Sequence, residues 1–308
     1  MFYMKNFSRE LAVEQGAEPL ANTIQLLIRQ LRPKQWTKNL LLFAALLFSF
    51  QHINAESVIN STIAFILFCF VSGTVYIMND YVDREADRLH ETKRFRPIAS
   101  GRLNPKLALA FGAVLLIGSL LVSLLLEPLF SVVLFIYFVI NMLYSLVLKH
   151  VVIIDIMLIA AGFVLRALAG GLVIQVPFTP WFLLCTMLLS LFLAIGKRRH
   201  ELILLESNSE AHRKVLSQYS VALLDQLLGI VAASTIICYS LFTFTSGRTI
   251  HLMWTIPFVL YGIFRYLYLI HMEQKGGAPD KVLLEDKPIM ITVILYAIVS
   301  VIIMAIFE

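Results

Sequence analysis

The sequence predicts an all-α polytopic membrane protein, a bundle of nine transmembrane helices, and three observations carry that prediction. Of 308 residues, 59% are hydrophobic and 15% charged, against roughly 25% charged in soluble domains. Apolar runs long enough for a hydrocarbon layer of about 30 Å recur along the chain. Basic residues collect in alternate connections between those runs, as the positive-inside rule requires of a protein threaded through a membrane.

Residues 1–34 form a predicted cytoplasmic N-terminal segment. It has no uninterrupted apolar core of the kind a cleavable signal needs. Leu20, Ile24, Leu27, Ile28 and Leu31 recur at helical spacing, which predicts a helix lying in the membrane interface. Residues 35–308 form the nine-helix domain, with spans expected near 36–52, 57–79, 105–126, 128–148, 151–174, 179–196, 219–245, 250–270 and 288–307. The first is the shortest: its core, Leu40 to Phe50, needs the flanks at Trp36 and Gln51 to cross.

Of the 25 Lys and Arg, 22 fall before the first span or after the second, fourth, sixth and eighth, whereas only Arg248 falls on the other side. This places the N-terminus in the cytoplasm and, with nine crossings, the C-terminus outside an inner membrane. The formal charge of +5 follows from that asymmetry and does not call for a nucleic-acid partner. Cys69, Cys185 and Cys238 all lie in apolar runs, with no disulfide or metal-binding spacing.

The outer connections, Glu127-Pro128, Gln175 to Thr179 and Ser246 to Thr249, are too short to hold much chemistry. The two long polar connections, 80–104 and 197–217, are both cytoplasmic and follow the second and sixth spans, a spacing that hints at an internal repeat. The first opens with Asn79-Asp80-Tyr81-Val82-Asp83-Arg84-Glu85-Ala86-Asp87. Steps of four along a helix advance about 6 Å and rotate about 40°, so Asn79, Asp83 and Asp87 share one stripe, with Asp80 beside it. Hard oxygen donors in that pattern suit Mg²⁺, which binds through one or two carboxylates plus substrate phosphates. Lys93, Arg94 and Arg96 follow at once and supply cations for a diphosphate. The bland alternative is a solvated helix end whose acids pair with Arg84 and Arg88.

The second connection opens with Gly196-Lys197-Arg198-Arg199-His200-Glu201-Leu202. A basic run at a cytoplasmic helix end also serves topology or lipid contact, and Lys197 and Glu201 have the spacing of a local pair. Asp155 and Arg166 interrupt an apolar span, where a charge costs at least about 2.5 kcal/mol. They lie on one face, with Gly162, Gly170 and Gly171 permitting close packing. Lys149 stands at the cytoplasmic mouth of that span, and Arg265 reads as a snorkelling or structurally paired residue. No P-loop, nucleophile elbow or zinc-binding signature occurs, so covalent nucleophilic catalysis is not indicated.

The acidic segment has the form NDxxDxxxD at the end of the second span, and in this the chain resembles the UbiA superfamily of intramembrane prenyltransferases over nearly all its length after about residue 30. A UbiA-type bundle typically carries a DxxxD cluster after the sixth span, where this chain has the basic Gly196–Leu202 segment. That departure resembles the phosphoribosyltransferase branch, as do Arg32-Pro33-Lys34-Gln35-Trp36-Thr37-Lys38-Asn39, Thr92-Lys93-Arg94-Phe95-Arg96-Pro97-Ile98-Ala99-Ser100-Gly101 and Phe163 to Gly171.

The resemblance implies Mg²⁺-dependent transfer of 5-phosphoribose from phosphoribosyl diphosphate to a polyprenyl phosphate of decaprenyl type. It implies a metal on Asn79, Asp83 and Asp87, with Asp80 an additional ligand or a support behind them. Lys34, Lys38, Lys93, Arg94, Arg96, Lys149, Arg166, Lys197, Arg198 and Arg199 become a cation pool for the phosphates, and Asp155 a partner for Arg166 or a ribose hydroxyl. One rival is a conventional prenyltransferase using a prenyl diphosphate and an aromatic acceptor. Another is a lipid or solute transporter, which leaves the acidic stripe unexplained.

Overall fold

The structure is a computed structural model that describes residues 20–47, 53–176, 179–207, 214–247, 249–273, 276–277, 282 and 285–307. The expectations for residues 1–19, Arg248 and the ends of several connections lie outside the described residues. Among those described, every regular element is helical. The chain divides into two compact units: Met1–Thr37 with Cys69–Gly118, and Lys38–Phe68 with Ser119–Glu308.

In the first unit, α1 (Leu20–Gln30) is amphipathic, as its spacing predicts. Leu26 and Leu31 are buried with Ile77, Ile98, Leu103 and Ala108, while Ile24 and Ile28 remain about half exposed. Leu31 sits on Gly73, where an added Cβ would come within 2.6 Å of its side chain. The second half of the long helix α3 (Ala55–Val82), from Cys69, and the start of α5 (Pro105–Leu126), as far as Gly118, complete this unit. Between them come α4 (Arg84–Leu89) and a 3₁₀ turn, Lys93–Phe95. The polar loop folds back on itself: Arg88 Nε donates to the Ala99 carbonyl at 3.2 Å, and Arg102 Nη2 to that of Phe95 at 2.8 Å.

The second unit begins with the segment read as the first span. It is not a long α-helix. A 3₁₀ helix, Pro33–Phe43, leads into the four-residue α2, Ala44–Leu47, and residues 48–52 lie outside the described set. The tighter helix changes the reach: 3₁₀ geometry rises about 2.0 Å per residue against 1.5 Å for an α-helix, so a short apolar stretch runs farther. Among the described residues, eight other helices are long and apolar enough to span, against the expected nine spans.

The remaining helices are α6 (Pro128–Leu146), α7 (Ile154–Val173), α8 (Pro180–Ser207), α9 (Val221–Thr245), α10 (Ile256–His271) and α11 (Lys287–Phe307). Sequential helices pack as neighbours, α6 on α7, α7 on α8, α8 on α9 and α10 on α11. At Gly170 of α7, an added Cβ would clash with the Leu42 carbonyl, so the 3₁₀ backbone docks only because that side chain is missing. Val114, Ile117, Leu121 and Leu125 form an exposed stripe along α5, the face that a lipid solvent leaves uncovered. Helices α3 and α8 each have 28 residues, about 42 Å at 1.5 Å per residue. Both outrun the roughly 30 Å hydrocarbon layer, and each carries one of the two polar segments at its far end.

Candidate active site

The acidic stripe survives a break in the helix. Asp83 is a turn residue between α3 and α4, yet its amide donates to the Asn79 carbonyl at 2.9 Å and the Asp87 amide to the Asp83 carbonyl at 2.8 Å. The i to i+4 register therefore continues, with Asn79 and Asp83 half-buried and Asp87 buried.

Asp80 is the most heavily engaged of the acids. It is 2% exposed and accepts from Gln30 Nε2 at 2.6 Å, Arg32 Nη2 at 2.5 Å and Arg96 Nη1 at 2.9 Å. Arg96 Nη1 also reaches Asp87 Oδ2 at 2.6 Å, bridging the two carboxylates. Arg32 adopts a left-handed backbone, φ 53°, which turns the chain sharply after α1, and its guanidinium stacks over Tyr76 at 4.8 Å. A buried carboxylate needs such partners, because desolvation otherwise disfavours its charge. Glu85 makes the solvated pairs of the bland reading, with Arg84 at 3.4 Å and Arg88 at 2.8 Å.

Beside Asp80 lies a cavity of about 230 Å³ lined by Arg29, Gln30, Arg32, Asp80, Thr92, Phe95, Arg96 and Pro97. Gln30 Oε1 is buried and has no donor among the described residues. Lys34, Lys93 and Arg94 are exposed on the same unit, Arg94 lying over the Phe95 ring at 4.9 Å.

Asn79, Asp83 and Asp87 offer an amide carbonyl and two carboxylates. No set of three or more His, Cys, Asp or Glu forms a self-sufficient metal cage among the described residues. Mg²⁺ takes one or two carboxylates and leaves the rest of its octahedron to substrate phosphate and water, so the oxygen donor types of the stripe suit it, with one Asp87 oxygen already held by Arg96. Zinc, by contrast, favours nitrogen and sulfur ligands that this stripe lacks.

The second unit rearranges the expected cation pool. Asp155 and Arg166 share a face of α7, but eleven residues amount to about 16 Å along the axis, too far for contact. Asp155, fully buried, instead accepts from Arg198 Nε at 2.7 Å and from the Tyr219 hydroxyl at 2.7 Å. Arg198 is 1% exposed and also reaches Glu201 at 2.5 Å and the Tyr144 hydroxyl at 3.2 Å. Tyr219 accepts from the Ile153 amide at 2.7 Å, holding a β-branched residue at φ 69°, a conformation that such residues seldom adopt. Burial, and then donation to Asp155, pushes the Tyr219 phenol well above its usual range.

Arg166 is likewise occupied: Nε donates to Asn39 Oδ1 at 2.7 Å, Nη1 to the Gly162 carbonyl at 2.8 Å and Nη2 to the Tyr137 hydroxyl at 2.8 Å. Arg199 pairs with Asp225 at 2.5 Å, which His271 also approaches at 3.3 Å. Of the basic run, Lys197 is the most exposed, 4.0 Å from Glu201 as its spacing predicts. Lys38 and Lys149 are half-buried. Arg265 is structurally paired, with Asp286 at 2.8 Å. Sequence reasoning did not single out Gln30, Tyr137, Tyr144, Tyr219 or Asp225. Asp225 had a signal, an acid near the start of an apolar run, whereas the tyrosines are indistinguishable from ordinary aromatic packing.

A long-helix membrane bundle with an oxygen-rich NDxxDxxxD stripe beside a basic cavity defines an intramembrane transferase class, and residues 40–284 match the model of the UbiA prenyltransferase family. The chain belongs to that family and is an integral membrane protein. It is 35% identical over 291 residues to a decaprenyl-phosphate phosphoribosyltransferase of Mycolicibacterium smegmatis, covering 89% of this chain and 91% of that one. With the Corynebacterium glutamicum protein of the same name it shares 36% over 300 residues, 94% of this chain and 89% of the relative. Among solved structures, a UbiA homologue from Archaeoglobus fulgidus bound to DMAPP and Mg²⁺ superposes with a TM-score of 0.68 at 18% identity, covering 91% of this chain and 99% of that one. A digeranylgeranylglyceryl phosphate synthase gives 0.69 at 21%, covering 91% and 99%. At such identities the likeness speaks for the fold.

Proposed function

We propose that this protein transfers 5-phosphoribose from phosphoribosyl diphosphate to a polyprenyl phosphate, releasing diphosphate, at the cytoplasmic face of an inner membrane with its N-terminus inside. The observation that carries this reading is the similarity to relatives named for that reaction, over about nine-tenths of both chains. A basic Lys197-Arg198-Arg199 segment in place of a second acidic motif supports it.

The bond from the anomeric carbon to the diphosphate breaks and the leaving group takes the electron pair. A lipid phosphate oxygen then bonds to that carbon. The acceptor is already an anion, so no strong general base is needed, and positioning and electrostatics dominate. Asn79, Asp83 and Asp87 would hold Mg²⁺, which when bound neutralises charge on the diphosphate. Asp80 is assigned to positioning: its three donors fix the turn after α1 and the basic loop against the stripe. Arg198 and Asp155 act similarly in their own unit, as do Arg166 and Arg199. Lys34, Lys93, Arg94 and Arg96 in the first unit are candidate phosphate ligands, and Lys38, Lys149 and Lys197 are candidates in the second.

The test is incubation of purified protein in detergent with Mg²⁺, labelled phosphoribosyl diphosphate and decaprenyl phosphate, following label into the organic phase. Mg²⁺-dependent labelled lipid is the expected result. Transfer from a prenyl diphosphate to an aromatic acceptor instead would overturn the donor assignment and leave the fold assignment intact.

A further inference from the structure

We propose that the cavity lined by Arg29, Arg32, Thr92 and Arg96 is a phosphomonoester site, next to the metal-held diphosphate, and that it takes the 5-phosphate of the sugar donor. This rests on the reading above for the identity of the donor. The charge has the right sign: three guanidiniums line the cavity with Asp80, Asp87 takes a further bond from Arg96, and the surplus of one positive charge favours a phosphomonoester, which carries about −1.5 to −2 at neutral pH.

The one carboxylate in those walls, Asp80, is already satisfied by three donors. The bonds to it and to Asp87 use one nitrogen each of Arg32 and Arg96. A guanidinium has five N–H donors in a planar fork matched to phosphate oxygens, so each can serve the carboxylate and an anion together. The stripe residues Asn79 and Asp83 do not line the cavity, whereas Arg96 in its wall bonds Asp87 at 2.6 Å, so the site adjoins the proposed Mg²⁺ position. Thr92 adds a hydroxyl, and the ring of Phe95 a flat apolar wall. Gln30 also lines the cavity, its amide nitrogen held by Asp80. A lipid phosphate is the other phosphomonoester of the reaction, and the experiment separates the two.

The variant is Arg29→Ala in the full chain, because Arg29 is exposed and makes no described bond to Asp80. Ribose 5-phosphate, magnesium diphosphate and decaprenyl phosphate are used as probes, read by the thermal shift each gives and by kinetics. Loss of one charged hydrogen bond of about 1.5–3 kcal/mol predicts an approximately 10- to 100-fold weaker response to ribose 5-phosphate, with a matching rise in KM for phosphoribosyl diphosphate and an unchanged response to magnesium diphosphate. Thr92→Val should weaken the same ligand by a smaller factor. A selective loss for decaprenyl phosphate would overturn the sugar assignment in favour of the lipid phosphate. Equal responses of wild type and variant to both monoesters would overturn the site. If wild type fails to transfer phosphoribose yet ribose 5-phosphate stabilises it and not Arg29→Ala, the cavity stands and only the reading of the reaction falls.

Discussion

Replacing Arg198 by Met removes a guanidinium while keeping a long apolar stem. It strands Asp155, a carboxylate with no solvent exposure, on the Tyr219 hydroxyl alone. Breaking a buried ion pair from one side costs about 3–5 kcal/mol, since the remaining charge stays desolvated. Thermal unfolding in detergent should therefore fall by on the order of 10 °C. Removing both charges, in Asp155→Asn with Arg198→Met, should recover part of that loss. An Asn still accepts from Tyr219, and the cycle should give a coupling of about 1–3 kcal/mol. If the double variant loses the sum of the two single losses, the pair does not act as a unit and the reasoning fails. The same cycle decides the role of Arg198 in turnover. A positioning residue regains activity as stability is regained, whereas a direct phosphate ligand loses kcat/KM that Asp155→Asn cannot return.

Asp83→Asn keeps the turn and removes one proposed metal charge; Mg²⁺-dependent transfer measured with labelled donor should drop by about 100-fold or more, and a retained rate would remove Asp83 from the metal site. Gly170→Ala drives a Cβ into the Leu42 carbonyl and should cost about 1–3 kcal/mol by overpacking, seen as a lowered Tm. Gly101 has φ 77° with open space around it, so Gly101→Ala should cost about 1 kcal/mol through backbone strain alone, without loss of the donor KM. For Tyr219, whose phenol is raised by burial and its bond to Asp155, the protonated form is the one the fold favours. Its contribution is complete below the ordinary phenol value and is lost only as pH rises through the raised one. The destabilisation caused by Tyr219→Phe should accordingly be constant from pH 6 to 9, and a loss that varied across that window would contradict the donor role.

The membrane class, the position of most helices and the acidic stripe were legible in the chain because each depends on near neighbours. Hydropathy acts through runs of about 20 residues, and a spacing of four fixes a face whatever lies opposite. Asn79, Asp83 and Asp87 kept their register through a helix break for that reason. The basic residues were another matter. Lys197, Arg198 and Arg199 read as one pool, yet one is half-exposed beside Glu201, one is clamped to Asp155 and one to Asp225.

Sequence by itself thus determined what this protein is made of and which segments cross an apolar solvent. Tertiary structure decided which charges are spent on the fold. Asp80 meets Arg32 across 48 positions, Asp155 meets Arg198 across 43, and Arg166 meets Asn39 across 127. No local pattern encodes such pairings. They arise because a buried charge must find a partner, and the partner is whichever group the packing of distant helices brings within a few ångströms.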